Sequence, residues 1–176
     1  MKIKIYVRNI TRDEDFVINL PKTEGELIAA LGYESDEYVI IECYGIRGVS
    51  DYESVTELNK FIQKCDNLGV DEKTLEILSA TFLYKEIKEM IEKEELPTII
   101  DFDAETSGWN FGNGGDFTKE FDKGMCLFDS GLYDPFKFEM NEDIYDWIDW
   151  ESVWINAETE GWRAVRVNRT GYLMHR

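Results

Sequence analysis

Apolar and polar residues alternate at the start of the chain. In KIKIYVR, residues 2–8, Ile3, Ile5 and Val7 are separated by single residues of a different character. This period of two predicts a strand with one buried face. Further strands are predicted in FVINL (16–20) and EYVIIECYGI (37–46), with a short helix over EGELIAAL (24–31) between them. Thr23 would cap that helix and Gly32 would end it, so residues 1–53 are predicted to form a small antiparallel α+β domain.

Residues 54–97 show the three- and four-residue spacing of helices. Ser54 and Glu57 have the S-x-x-E spacing of a capping box, which predicts a helix over about 55–66. Asp71 can cap a second helix, and residues 83–95 predict a third. The apolar positions on the inner faces of these last two helices are Leu75, Leu78, Phe82, Leu83, Ile87, Met90 and Ile91. A small helical domain ending at Pro97 is therefore expected.

The segment NEDIYDWIDWESVWIN, residues 141–156, predicts a helix in the third part of the chain, residues 98–176. At 100° per residue, Ile144, Ile148 and Ile155 form one stripe, which is expected to be buried. Carboxylates lie mainly on the opposite side. Glu151 instead projects onto the apolar face, so either the helix breaks there or this glutamate is paired at an interface. We call the following residues the acidic row: Glu139, Glu142, Asp143, Asp146, Asp149 and Glu151.

Tryptophans accompany the acidic row. Trp147 and Trp154 flank the isoleucine stripe, whereas Trp150 projects toward the polar side. Rigid aromatic side chains of this kind can hold a charged surface in place and anchor a subunit contact. We expect Trp147, Trp150 and Trp154 at a dimer interface. The arginine-rich end of the chain can form a closing strand pair around Asn168–Gly171.

The charge of the chain is strongly negative. The 176 residues have a formal charge of -18, and residues 101–160 hold 16 acidic residues against 3 basic ones. Such a surface repels nucleic acid and anionic lipid and attracts basic partners. The start of the chain lacks the apolar region of a signal peptide, and no run of eighteen apolar residues occurs. We therefore expect a cytoplasmic protein that binds neither membranes nor nucleic acid.

The acidic row suggests a specific use of this charge. Its carboxylates would lie about 5–6 Å apart along a helix axis. Like charges on one helix face oppose folding by a few tenths of a kcal/mol per pair, so folding alone does not favour them. The arrangement resembles the row of phosphates on a nucleic-acid strand. A groove lined by Lys and Arg could accept either the acidic row or a nucleic-acid strand.

Familiar catalytic motifs are missing from the sequence. The chain has one histidine, His175, expected to be solvated, and GNGGD at 112–116 lacks the ending of a phosphate-binding loop. The cysteines Cys43, Cys65 and Cys126 are expected to be buried free thiols. Asp101, Asp103 and Glu105 alternate as calcium ligands do, but Thr106 and Gly112 occupy positions that an EF-hand gives to Gly and Glu. We therefore expect no enzyme, cofactor or metal, although a pair of carboxylates for hydrolysis stays open.

Several stretches of the chain resemble the ArdA antirestriction proteins. They are IKIYVRNI, DEYVIIECYGI, YESVTELNKF, GMCLFDSGLYDPFKFEMNEDIYDWIDWESVW and NRTGYL, in that order along the chain. LFDSGLYD followed by YDWIDWE is most similar to the family, in which an L-F-x-x-G pattern precedes an I-D-Y/W element. Two segments depart from the family pattern: residues 104–116 are longer and richer in glycine, and VWIN at 153–156 replaces a Tyr-Gly-Arg-Asp-like run.

The resemblance implies an elongated α+β protein of three parts: a small antiparallel α+β domain, a small helical domain and a mixed α/β C-terminal domain, through which it dimerises. It further implies a DNA mimic that occupies the DNA-binding groove of type I restriction–modification enzymes and blocks restriction. The acidic row would then bind the target enzyme. Two alternatives stay open, namely a mimic directed at another defence nuclease such as a CRISPR effector, and an acidic hydrolase or calcium-binding domain using residues 101–116.

Overall fold

The computed structural model of this protein describes residues 1–32, 37–109, 114–136 and 142–176, without the side chains of residues 142 and 143. Over these residues the fold is α+β, with two three-stranded antiparallel sheets, and this confirms the predicted class. The chain divides into two compact units, Met1–Leu96 and Pro97–Arg176. The division into three parts stays a prediction, and its first two parts lie together in the first unit.

The sheet of the first unit is built around β1 (Ile3–Asn9), which lies between β2 (Glu14–Leu20) and β3 (Tyr38–Cys43). In the β1–β2 pair, Ile3 lies opposite Leu20. The alternating apolar residues of β1 are fully buried, which confirms the strand predicted from their period of two.

The first helix, α1 (Glu24–Leu31), begins and ends where the sequence predicts. The Thr23 hydroxyl oxygen accepts a hydrogen bond from the backbone N–H of Glu26 at 3.3 Å, and the Glu26 carboxylate accepts one from the Thr23 N–H at 2.9 Å. This reciprocal box satisfies two amides that the helix itself leaves unpaired. Gly32 ends the helix with a φ of 91°, which is unfavourable for residues with a Cβ.

Three helices complete the first unit: α2 (Val55–Asn67), α3 (Glu72–Thr81) and α4 (Tyr84–Lys93). Ser54 and Asp71 cap α2 and α3 as predicted. The Glu57 carboxylate pairs with Lys60 at 2.8 Å. Leu83 was expected on the inner face, but its side chain is exposed because it is the N-cap residue of α4 and lies outside the helix.

The second unit has a sheet in which β6 (Thr170–His175) lies between β4 (Thr98–Asp101) and β5 (Trp162–Val167). Asn168 and Arg169 connect β5 to β6 with φ values of 49° and 76°. Two consecutive positive φ angles are typical of the type I′ turn that joins tight hairpins. The predicted closing strand pair is therefore confirmed.

An aromatic core fills the second unit between its sheet and its helices. The helices are α5 (Phe102–Thr106), α6 (Glu120–Asp129), α7 (Glu142–Tyr145) and α8 (Trp150–Thr159). Phe102, Leu127 and Trp154 are fully buried in one cluster with Leu173 of β6. His175, expected to be solvated, packs its ring against Trp162 at 5.1 Å.

The cysteines are free thiols. Cys65 and Cys126 are buried as predicted, whereas Cys43 is half-buried. Burial raises the pKa of all three thiols to about 12, so they are protonated at neutral pH. In the part of the chain that the structure describes, no helix has the length and apolar character needed to cross a membrane.

Candidate functional site

The acidic segment of the second unit is positioned by the packing of α8 on α6. Gly124 makes this packing possible, because a Cβ at this position would lie 1.9 Å from the carbonyl oxygen of Trp150. The buried side chains of α8 follow the i, i+3, i+4, i+7 spacing of one helix face. They are Trp150, Val153, Trp154 and Ala157.

The single helix predicted over 141–156 is wrong. The structure has two helices in this region, and residues 146–149 between them form a turn. The turn is held by backbone hydrogen bonds from Trp147 to Ile144 at 2.9 Å and from Trp150 to Ile148 at 3.1 Å. The predicted isoleucine stripe is therefore not a buried face: Ile144 is 40% exposed and Ile155 is 46% exposed.

Asp149 accounts for the start of the second helix. Its carboxylate accepts hydrogen bonds from the backbone N–H of Ser152 at 3.2 Å and from the Ser152 hydroxyl at 2.7 Å. These bonds lower the pKa of Asp149, the side-chain bond most strongly. Glu151 then falls in the first turn of α8, where the helix dipole favours a negative charge. The sequence misfit at Glu151 is explained because the buried face of α8 is formed by Trp150, Val153, Trp154 and Ala157 and not by the predicted isoleucine stripe.

The acidic row is thus spread over several elements. Asp146 lies in the turn, Asp149 caps α8 and Glu151 lies on α8, and all three side chains are exposed. Glu142 and Asp143 begin α7, but their side chains lie outside the described part of the structure, as does Glu139 altogether. The predicted placement of the row along one helix axis is wrong, whereas the exposure of its described members agrees with a binding role.

The three tryptophans predicted at a dimer interface have different environments. Trp147, expected to flank a buried face, is 88% exposed in the turn. Trp150 was expected to project toward the polar side, but it is 2% exposed and packs on Tyr145 and Phe128. Trp154 is completely buried, and Lys123 Nζ lies 4.8 Å from its ring. Trp150 and Trp154 therefore support the fold from inside, which corrects their assignment to the dimer interface.

A cavity of about 470 Å³ opens beside this turn. Asp129, Tyr145 and Asp146 contribute polar groups to it. The apolar part of its wall comes from Trp109, Phe121, Met125 and Trp150, with Gly108 at its edge. Asp129, Tyr145 and Trp109 were missed by the sequence analysis, because they are up to 36 residues apart and belong to different elements.

Asp129 is the central polar group of this cavity. The Tyr145 hydroxyl donates a hydrogen bond of 2.8 Å to its carboxylate. Burial raises the pKa of Asp129, although hydrogen bonds from Tyr145 and Trp109 act in the opposite direction. The pKa of Tyr145 is also raised, first by burial and then by the bond to Asp129. The raised pKa of Tyr145 keeps its hydroxyl protonated, so it acts as the donor to Asp129.

Two of the carboxylates that alternate as calcium ligands do, Asp101 and Asp103, have structural roles. Asp101 caps α5 by accepting a hydrogen bond from the Ala104 N–H at 3.1 Å. Asp103 accepts one from the Gly171 N–H at 3.2 Å and so joins α5 to β6. Across the described residues, no cluster of three or more His, Cys, Asp or Glu side chains is arranged to hold a metal ion.

Exposed carboxylates extend well beyond the acidic row. They lie on α5, α6, α8 and the connecting loops of the second unit, around the aromatic core. We call this set, together with the described members of the acidic row, the acidic shell. Its members are Asp103, Glu105, Asp116, Glu120, Asp129, Asp134, Asp146, Asp149, Glu151, Glu158 and Glu160.

A scan against protein-family models found no family that matches this chain, and a search of curated proteins found no match.

Proposed function

We propose that this protein is a DNA-mimic inhibitor, which occupies the DNA-binding groove of a type I restriction–modification enzyme and blocks restriction without catalysing a reaction. The observation that carries the proposal is the acidic shell, whose carboxylates are exposed around the rigid aromatic core of the second unit. The resemblance of the sequence to the ArdA proteins supports the choice of target. Such a protein acts in the cytoplasm, where these enzymes and their DNA substrates meet.

Electrostatics favours a basic partner for this surface. A groove that neutralises DNA phosphates presents several Lys and Arg side chains, and a protein that presents carboxylates competes for the same contacts. The charges of the acidic shell come from several elements, so their pattern does not depend on one continuous helix. The rigid core beneath them keeps their spacing fixed, which lowers the entropy lost on binding.

The described side chains give less support to an acidic hydrolase or a calcium-binding domain. Asp101 and Asp103, the carboxylates that such a domain would use, already bind backbone amides within the unit. We therefore propose a binding protein. Another DNA-binding defence nuclease, such as a CRISPR effector, remains the alternative target for the same surface.

We further propose that the protein acts as a homodimer and that Trp147 lies in its interface. An 88% exposed tryptophan in an acidic turn presents a large apolar surface to solvent. Aromatic residues of this type are enriched at the centres of protein interfaces. The neighbouring Ile144 is also partly exposed and would extend the same contact.

The proposal is tested by plating unmodified phage on cells that carry a type I restriction system, with and without the protein. We expect the protein to raise the plating efficiency by several orders of magnitude. A triple variant, Glu142→Gln, Asp146→Asn and Asp149→Asn, should lose most of this effect. The Asn at 149 can still cap α8, so the fold is retained.

A matched control removes the same charge elsewhere. Glu72→Gln, Glu89→Gln and Glu92→Gln neutralise three exposed carboxylates of the first unit. If the control variant loses as much activity as the triple variant, net charge rather than the acidic row is responsible. If the wild-type protein is expressed and folded but plating does not rise, the proposed target is wrong, and the same assay with a CRISPR nuclease tests the alternative.

A further inference from the structure

We propose that the cavity beside the α7–α8 turn binds the guanidinium group of an arginine side chain from the inhibited enzyme. The lining of the cavity indicates which chemical group it binds. That the arginine comes from an inhibited enzyme rests on the proposed function. The cavity combines the carboxylates of Asp129 and Asp146 with a wall of aromatic rings. A DNA-like pattern of charge does not by itself require such a pocket.

The cavity is large enough to admit an organic side chain. Its volume of about 470 Å³ lies in the range of small-molecule sites, which are mostly apolar with a few fixed polar groups. Trp109, Tyr145 and Phe121 supply ring surface to it. A cation over an aromatic face is attracted by the ring quadrupole, which makes the face partially negative, and the attraction grows as water is excluded.

The polar groups of the cavity select a cation. Asp129 and Asp146 are contributed by different elements, the end of α6 and the turn after α7. The hydrogen bond from Tyr145 fixes one oxygen of Asp129, since the Tyr145 hydroxyl lies 2.8 Å from Oδ1. Trp109 also hydrogen-bonds to this carboxylate, which has about four acceptor positions and so retains capacity for a ligand. Among the described residues that line the cavity, none is a lysine or an arginine.

Arginine suits this arrangement better than lysine. Its planar guanidinium stacks on aromatic rings and donates several hydrogen bonds in a fixed plane to carboxylates. Lysine presents a compact, strongly hydrated charge without a flat face. DNA-binding grooves carry both residues, so an arginine pocket within the acidic shell would add a specific contact to a surface that is otherwise selective only for charge.

The experiment uses the whole protein and two small probes. N-acetyl-arginine amide and N-acetyl-citrulline amide have nearly the same shape, but only the first is charged. We expect the arginine probe to cause saturable shifts of the Trp109 indole N–H signal in ¹⁵N NMR spectra at millimolar concentration, and the citrulline probe to cause none. Asp129→Asn and Asp146→Asn should each weaken binding about tenfold, whereas the control Glu158→Gln, outside the cavity, should not.

The outcomes separate the cavity from the proposed function. The cavity inference is overturned if the wild-type protein gives no saturable shift, or if both probes bind equally. Tyr145→Phe gives a second test, because it keeps the ring but removes the hydrogen bond that fixes one oxygen of Asp129, and its binding of the arginine probe should weaken. If the probe binds but the wild-type protein does not inhibit restriction, the proposed function fails and the cavity stands. If a variant that no longer binds the probe inhibits as well as the wild type, the enzyme is not the source of the arginine.

Discussion

Gly124 of α6 lies directly against the backbone of Trp150, the first residue of α8. A Cβ at Gly124 would be 1.9 Å from the Trp150 carbonyl oxygen and 3.2 Å from the Trp154 amide nitrogen. The two helices therefore touch through their backbones, and no side chain can be added between them without moving α8. This contact holds the buried face of α8 in the core while the acidic turn beside it stays exposed.

Gly124→Ala should destabilise the second unit. Because the added methyl group meets backbone atoms rather than a flexible side chain, we expect a loss of about 2–3 kcal/mol in the free energy of unfolding, measured by urea denaturation. Gly25→Ala is the control, since a Cβ at Gly25 meets no atom within 4 Å. Its stability should be unchanged or slightly higher, because alanine favours a helix. Equal stability of the two variants would mean that the α6–α8 contact is looser than described.

Trp147 and Trp150 should respond differently to replacement. Trp147→Ala should weaken self-association, measured by light scattering over a range of concentrations, and leave the fold intact because the side chain is exposed. Trp150→Ala should instead cost about 3–5 kcal/mol of stability, because it leaves a cavity in the aromatic core. The proposed interface would be refuted by a wild-type protein that is monomeric at all concentrations, or by a Trp147→Ala dimer as tight as the wild type.

The stability of α8 should depend on pH through Asp149. Its folded pKa is lowered by the hydrogen bonds from Ser152. Its contribution to stability is therefore complete above the unfolded pKa of about 3.9 and is lost as the pH falls through the lower folded pKa. Asp149→Asn keeps the cap but does not titrate, so its stability should fall less than that of the wild type between about pH 5 and about pH 2. Identical acid unfolding curves for the two proteins would exclude this role of the cap.

The sequence predicts those elements of the fold whose signals are local. The alternation along β1 marks a strand because its residues face either the core or solvent, and Thr23 with Glu26 marks a helix start because the two groups satisfy each other's amides. The α+β class follows from such signals. They depend on neighbours a few residues away, which a sequence displays directly.

The break before α8 illustrates a conflict between two local signals. Residues 141–156 can be projected onto one amphipathic helix, and this projection ignores the capping pair of Asp149 and Ser152. The tertiary contact at Gly124 holds the helix that begins at Trp150 against α6, with Trp150 and Trp154 buried on its inner face. Burial of these two large aromatic side chains is a long-range contact that no local pattern displays.

The cavity could not be predicted for a different reason. Its lining comes from α5, α6 and the region of α7 and α8, and the pairing of Asp129 with Tyr145 spans sixteen residues. Neither residue belongs to a motif of fixed spacing. The acidic composition indicated a basic partner, but the position of each carboxylate depends on how the helices pack.

The central claim is that this protein and DNA compete for the same groove. The most direct measurement follows a fluorescent, unmethylated DNA that carries the recognition site as it is displaced from a purified type I restriction–modification enzyme by added protein. We expect stoichiometric displacement at low salt, a steep loss of apparent affinity between about 50 mM and about 200 mM salt, and little displacement by the triple variant of Glu142, Asp146 and Asp149. DNA that stays bound at saturating concentrations of the wild-type protein would contradict the claim.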